Sequence, residues 1–136
     1  MSTKPETNFY ESLHRRIKKH EPKIHVEKMY NPYRGGTWDV WYSGYGSDLW
    51  VEYKWLPKIP VRPTTLVVPG LSALQLEWGA GRYTEGRNLA VILGCPEGGV
   101  VYQDTAWEEE LEASTFRSML RTREQLAEFI IKQVTS

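Results

Sequence analysis

Residues 37–56 constrain this chain more than any other stretch. Two runs of alternating character, Thr37–Ser43 and Leu49–Leu56, flank the turn Gly44-Tyr45-Gly46-Ser47. Period-two alternation broken by a glycine-bearing turn is the pattern of an antiparallel hairpin. If Tyr45-Gly46 forms a two-residue turn, facing positions sum to 91, so Asp39 meets Glu52, Trp41 meets Trp50 and Thr37 meets Lys54. Directly opposed residues hold their Cβ atoms ~5 Å apart. Side chains alternate between faces, so Asp39, Glu52 and Lys54 share one face. The opposite face carries Trp38, Val40, Tyr42, Leu49, Val51 and Tyr53, which is the expected core side.

A lone hairpin is marginal in water and needs further elements to cover it. The rest of the sequence supplies them. Phe9, Leu13 and Ile17 predict an amphipathic helix over about 8–20, stopped by Pro22. Ile24–Tyr30 reads as a strand and residues 31–36 as a turn. Residues 57–70 contain four prolines and predict a stiff, extended loop. Ser72 opens a helix. Asn88–Gly94 is a continuous apolar strand, turned by Pro96-Glu97-Gly98-Gly99 and answered by Val100–Gln103. The tail 105–136 is helical by composition, with Leu126, Phe129, Ile130 and Val134 as its apolar stripe. The order α-β-β-β-α-β-β-α predicts an α/β fold, a mixed β-sheet flanked by helices. At 136 residues, one domain is expected, with a core over about 8–103 and a C-terminal helical extension over 105–136.

Composition narrows the function. Forty per cent hydrophobic and 25% charged residues are the proportions of a soluble globular protein. No apolar run approaches the roughly 20 residues of a membrane span, and the N-terminus has no apolar signal region. The single cysteine, Cys95, excludes a disulfide framework and Cys-based zinc sites, so a reducing, cytoplasmic setting is expected. His14, His20 and His25 lack the i,i+3 or i,i+4 spacing of a helical metal pair, and no P-loop or G-x-S-x-G motif occurs. The 17 basic and 17 acidic residues cancel, but residues 1–34 carry eight Lys/Arg against four Glu. Only that basic end could serve nucleic acid, chiefly Arg15, Arg16, Lys18 and Lys19 on the first helix; a solvated helix face accounts for the run equally well. Six Trp and eight Tyr suit either a rigid core or a stacking surface.

Facing carboxylates repel unless something positive lies between them. A divalent ion meets that need, because Mg²⁺ takes a few carboxylates and keeps positions for water and phosphate. Lys54, two residues beyond Glu52, would lie beside such an ion and could position or deprotonate the attacking water. That is machinery for phosphodiester hydrolysis. A surface cluster in which Lys54 merely pairs with a carboxylate fits the same spacing.

Three ordered motifs extend the pattern: Gly36-Thr37-Trp38-Asp39, then Glu52-Tyr53-Lys54, then Leu71-Ser72-Ala73-Leu74-Gln75-Leu76-Glu77-Trp78. Together, over about residues 8–95, they resemble the PD-(D/E)xK nuclease superfamily, and more narrowly the small VRR-NUC-type nucleases that stand alone in bacterial viruses. Trp38 departs from the family pattern, which has proline there. The resemblance implies a restriction-endonuclease-like core. It also implies metal ligation by Asp39, Glu52 and the backbone carbonyl of Tyr53, and a water-orienting Lys54. Gln75 matches the family's helix-borne glutamine near the active site, although Ser72-x-x-Gln75 is also a capping box. Glu11 matches the acidic residue that relatives carry on the first helix, where it joins the metal shell. It also suits a third-position partner of an Asn8 cap, and on the helical wheel it lies away from Phe9, Leu13 and Ile17.

The function so implied is a Mg²⁺- or Mn²⁺-dependent DNA endonuclease leaving 5′-phosphate and 3′-hydroxyl ends. One domain leaves no room for a separate sequence-reading module, so a structure-specific, Holliday-junction-resolvase-like activity on branched DNA is expected. Paired incisions need two sites, which a homodimer supplies. Leu56, Ile59, Val61, Leu66, Val67 and Val68 are numerous for an exposed loop and offer an interface, unless the loop folds back over the core. The expected setting is the cytoplasm, the host's if the protein is viral. The competing readings are a non-catalytic DNA- or protein-binding module on the same fold and a general nicking endonuclease.

Overall fold

The computed structural model describes residues 4–30 and 35–136; most of the turn expected at 31–36 lies outside them. Helix α1 (Lys4–His20) is followed by β1 (His25–Lys28), β2 (Val40–Ser43) and β3 (Asp48–Trp55). A short β4 (Leu66–Val67), α2 (Ala73–Thr84), β5 (Leu89–Cys95) and β6 (Gly98–Tyr102) come next. The chain closes with a 3₁₀ turn at Ala106–Glu108, β7 (Leu111–Glu112), α3 (Ala113–Ser118) and α4 (Arg123–Thr135). Five strands form one mixed sheet in the order β1-β2-β3-β5-β6, in which only β3 and β5 run parallel. The crossover joining those two contains α2. β4 and β7 make a separate two-stranded ribbon. Among the described residues no helix is long and apolar enough to cross a membrane.

The hairpin has the register its turn demands, with Val40 opposite Val51, Trp41 opposite Trp50 and Ser43 opposite Asp48. Its turn is buttressed from outside, because the N–H groups of Gly46 and Ser47 both donate to the Val134 carbonyl at the end of α4. A Cβ on Gly44 would stand 2.5 Å from that same oxygen, so the close approach requires glycine here.

Both faces of the sheet are covered. On one, Val40, Tyr42, Leu49, Val51, Tyr53, Ala90 and Ile92 pack against Phe9, Leu13 and Ile17 of α1 and Leu126, Ala127, Ile130 and Val134 of α4. The C-terminal helix is therefore part of the first core. On the other face Val91, Leu93, Val100 and Tyr102 pack with Trp107, Phe116, Ile59 and Val67. Trp38 belongs to this second core, which corrects its expected place beside Val40 and Tyr42. It precedes the first residue of β2, so strand alternation does not bind it, and its indole N–H donates to the Gln75 carbonyl at 3.0 Å. Helix α2 crosses it so closely that a Cβ on Gly79 would meet the ring at 2.5 Å. The loop 56–70 divides. Ile59 and Val67 are buried in the second core, whereas Val61, Leu66 and Val68 are 52–76% exposed.

Candidate functional site

The expected carboxylate pair forms where β2 begins. The hairpin register, continued by one residue, sets Asp39 against Glu52. Glu52 is 2% exposed, since β5 flanks its strand and α2 covers its face. One of its oxygens, Oε2, accepts from Gln75 Nε2 at 2.9 Å and lies 3.6 Å from Lys54 Nζ. The other, Oε1, is buried without a hydrogen-bond partner. Asp39 Oδ2 accepts from the Tyr53 backbone N–H at 3.1 Å, and Asp39 Oδ1 pairs with Lys28 Nζ at 3.2 Å.

Burial disfavours the charged form of Glu52, and the Asp39 charge adds to it; Lys54 offsets only part. The carboxyl is thereby pushed from 4.5 up to about 8, so it holds a proton near neutral pH when nothing else neutralises it. A buried carboxylate oxygen with no partner, facing a second carboxylate, is a donor set that a divalent oxygen-seeking cation would satisfy. The residues present fit such an ion, which Asp39 and Glu52 would hold. The Tyr53 carbonyl belongs to the peptide bond joining Tyr53 to Lys54. Among the described residues no cluster of three or more His, Cys, Asp or Glu side chains converges as a metal site.

Of the sequence-derived candidates, Asp39, Glu52, Lys54 and Gln75 are brought together. Gln75 closes a capping box and also touches Glu52. Its backbone N–H donates to Ser72 Oγ and its Oε1 accepts from the Ser72 N–H, while its Nε2 reaches Glu52. The capping box thus holds the amide rigidly against the buried carboxyl. Glu11 is exposed, whereas Glu6 on the same helix is half-buried. Glu6 senses the charges of Asp39, Lys54 and Lys28, and burial followed by the Asp39 charge raises its pKa. The reason is periodicity. Helix α1 starts at Lys4 rather than at residue 8, and Glu6 lies on the Phe9–Leu13 side of the wheel while Glu11 does not. Pro5 followed by an acid in the first turn is a helix-start signal that would have found it.

Lys28 was also missed. It stands opposite Val40 in the β1–β2 pair and reaches diagonally to Asp39, and a four-residue strand of exposed and half-exposed residues carries little sequence signal. The basic run is spread out. Arg15 and Lys19 are exposed, but Arg16 donates to Ser12 and pairs with Glu124 at 3.4 Å, and Lys18 donates to the Ile24 carbonyl. At 1.5 Å per residue these bases lie roughly 13–20 Å along α1 from Glu6.

The fold is of the restriction-endonuclease-like class, a mixed five-stranded sheet with an acidic hairpin at one end and helices on both faces. Among solved structures the chain is similar to Hjc, a Holliday junction resolvase from the archaeal hyperthermophile Archaeoglobus fulgidus. The TM-score is 0.58 at 16% identity, over 89% of this chain and 98% of that one. At that identity the likeness is one of fold. No protein-family model matches the sequence, and no curated protein does.

Proposed function

We propose that this chain is a DNA endonuclease, dependent on Mg²⁺ or Mn²⁺, that cuts branched DNA as a homodimer. The observation that carries the reading is Glu52, a carboxyl buried opposite Asp39 with one oxygen unpartnered. Such a pair destabilises the metal-free fold, and a structural role gives no return for that cost. When bound, a divalent ion supplies charge neutralisation and Lewis-acid polarisation of a phosphate. Asp39 and Glu52 would hold it, and Glu6 would add negative charge from α1. Lys54, 25% exposed beside Glu52, orients the attacking water and balances charge at the scissile phosphate. Gln75 locks the Glu52 rotamer, and Lys28 does the same for Asp39. The products expected are 5′-phosphate and 3′-hydroxyl ends.

The likeness in fold to a Holliday junction resolvase favours a four-way junction as substrate. The three motifs favour the VRR-NUC-type nucleases of bacterial viruses, working in the host cytoplasm. Arg15 and Lys19 would contact phosphates away from the cut, without reading sequence. Within the loop 56–70, Val61, Leu66 and Val68 are exposed apolar residues available to a dimer contact. The test is cleavage of duplex, flap and four-way-junction DNA with Mg²⁺. The expected result is junction cutting by the parent and none by Asp39→Ala. Equal activity of that variant, or no activity of the parent on any substrate, would return the chain to a non-catalytic binding role. Linear duplex cut as fast as a junction would make it a general nicking endonuclease.

A further inference from the structure

A cleft of about 580 Å³ opens on the carboxylate face of the hairpin. Its walls are Trp41, Trp50 and Trp78, with Thr37, Arg87 and Asn88 at the rim. Its placement follows from the register. Trp50 precedes Glu52 by two residues on the same face of β3, and Trp41 follows Asp39 by two on the facing strand. The indoles therefore stand one strand repeat, ~7 Å, from the carboxylates. Trp78 lies one helical turn beyond Gln75 on α2, so the same displacement recurs on the covering helix.

We propose that this cleft binds one unpaired nucleotide of the DNA strand next to the scissile phosphate, its base stacked on the tryptophans. Trp41 and Trp50 stack on each other with centroids 6.2 Å apart and planes inclined by 28°, and Trp78 meets Trp50 edge-on at 5.3 Å. All three rings are only partly buried, although their partner Trp38 is fully so, and the cleft lies within the 300–1,000 Å³ of small-ligand sites. The charges around it are nearly balanced. Arg82 is tied to Glu85 at 2.8 Å and its guanidinium covers Trp78, whereas Arg87, 64% exposed, stands 4.0 Å from the same carboxylate and is the more loosely held cation. An aromatic floor with Thr37 and Asn88, and two acids (Asp48, Glu85) against two arginines (Arg82, Arg87), suit a nucleobase with its own phosphate, and suit a polyanionic duplex backbone poorly. The base is recognised by its π-face, so the site tolerates any sequence.

This inference rests on the endonuclease reading for the identity of the strand, but its test needs no catalysis. In EDTA, an oligothymidylate of five nucleotides should quench tryptophan emission of the intact protein. Trp41→Leu should weaken that binding at least about tenfold, and Trp41→Phe should restore most of it. Arg87→Ala should lower the salt slope of binding by about one. A blunt, fully paired duplex should bind with no dependence on Trp41. Unchanged oligothymidylate affinity in a folded Trp41→Leu protein would overturn the site, as would equal dependence of the blunt duplex on Trp41. If Asp39→Ala cut as well as the parent while the Trp41 effect held, the catalytic assignment would fall and the nucleotide site would stand.

Discussion

Replacing Glu52 with glutamine should make the metal-free protein more stable, by an amount that grows with pH. A carboxyl whose folded pKa is raised from 4.5 to about 8 binds its proton more tightly in the folded state. Its contribution to stability is fully present below pH 4.5 and is lost as pH rises through about 8. At 1.36 kcal/mol per unit, the loss is about 3 kcal/mol at pH 7 and nearly 5 kcal/mol above pH 8, to order of magnitude. That is a large part of the 5–15 kcal/mol stability typical of a domain. The half-buried imidazole of His14, which shares a hydrogen bond with the Tyr42 hydroxyl, works in the opposite sense. Burial holds it neutral and pushes it down to about 4, so its contribution rises with pH between about 4 and 6.5. The two slopes cancel over much of the acid range, and the parent should fall only from about pH 6.5 to 8. The difference between Glu52→Gln and parent removes the His14 contribution. Thermal melts in EDTA should therefore coincide near pH 4.5 and diverge by roughly 10 °C or more at pH 8.5, with the variant higher. Mg²⁺ should then raise the parent's melting temperature at pH 8.5 much more than the variant's. Parallel curves from pH 5 to 8.5 would mean that Glu52 is ionised throughout, and would refute the reasoning.

Lys54→Ala should lower cleavage by orders of magnitude with metal affinity retained by calorimetry; lost affinity would make Lys54 a structural partner of the acids. Glu6→Gln should weaken metal binding several-fold while Glu11→Gln leaves it unchanged, a contrast that calorimetry reads directly. Gln75→Leu should lower activity and also destabilise the protein by about 1–2 kcal/mol in urea, because it removes half of a capping box and a bond to Glu52. Replacing Arg15 and Lys19 by alanine should flatten the salt dependence of DNA binding, whereas an unchanged slope would leave them as solvated residues. Light scattering at micromolar concentration should give a dimer mass that drops to the monomer on Val61→Lys with Leu66→Lys.

What the sequence determined by itself was whatever rests on a short period. Alternation and a glycine turn set the hairpin register, and the register alone put Asp39 against Glu52 with Lys54 on the same side. The Ser72 and Gln75 spacing located the start of α2. What the sequence left open involves groups far apart along the chain. Trp38 left the strand pattern because α2, some forty residues on, offered it a carbonyl and a glycine-flattened face. Glu6, half-buried, feels the Asp39 charge while Glu11 is exposed, because Phe9, Leu13 and Ile17 turn one face of α1 onto the sheet and α4, at the other end of the sequence. Lys28 and the orphaned oxygen of Glu52 likewise exist only where separate strands and a helix meet. Local pattern encodes which residues face one another across a turn. The burial that shifts a pKa, or opens a cleft beside it, is a sum over elements that only the folded chain assembles.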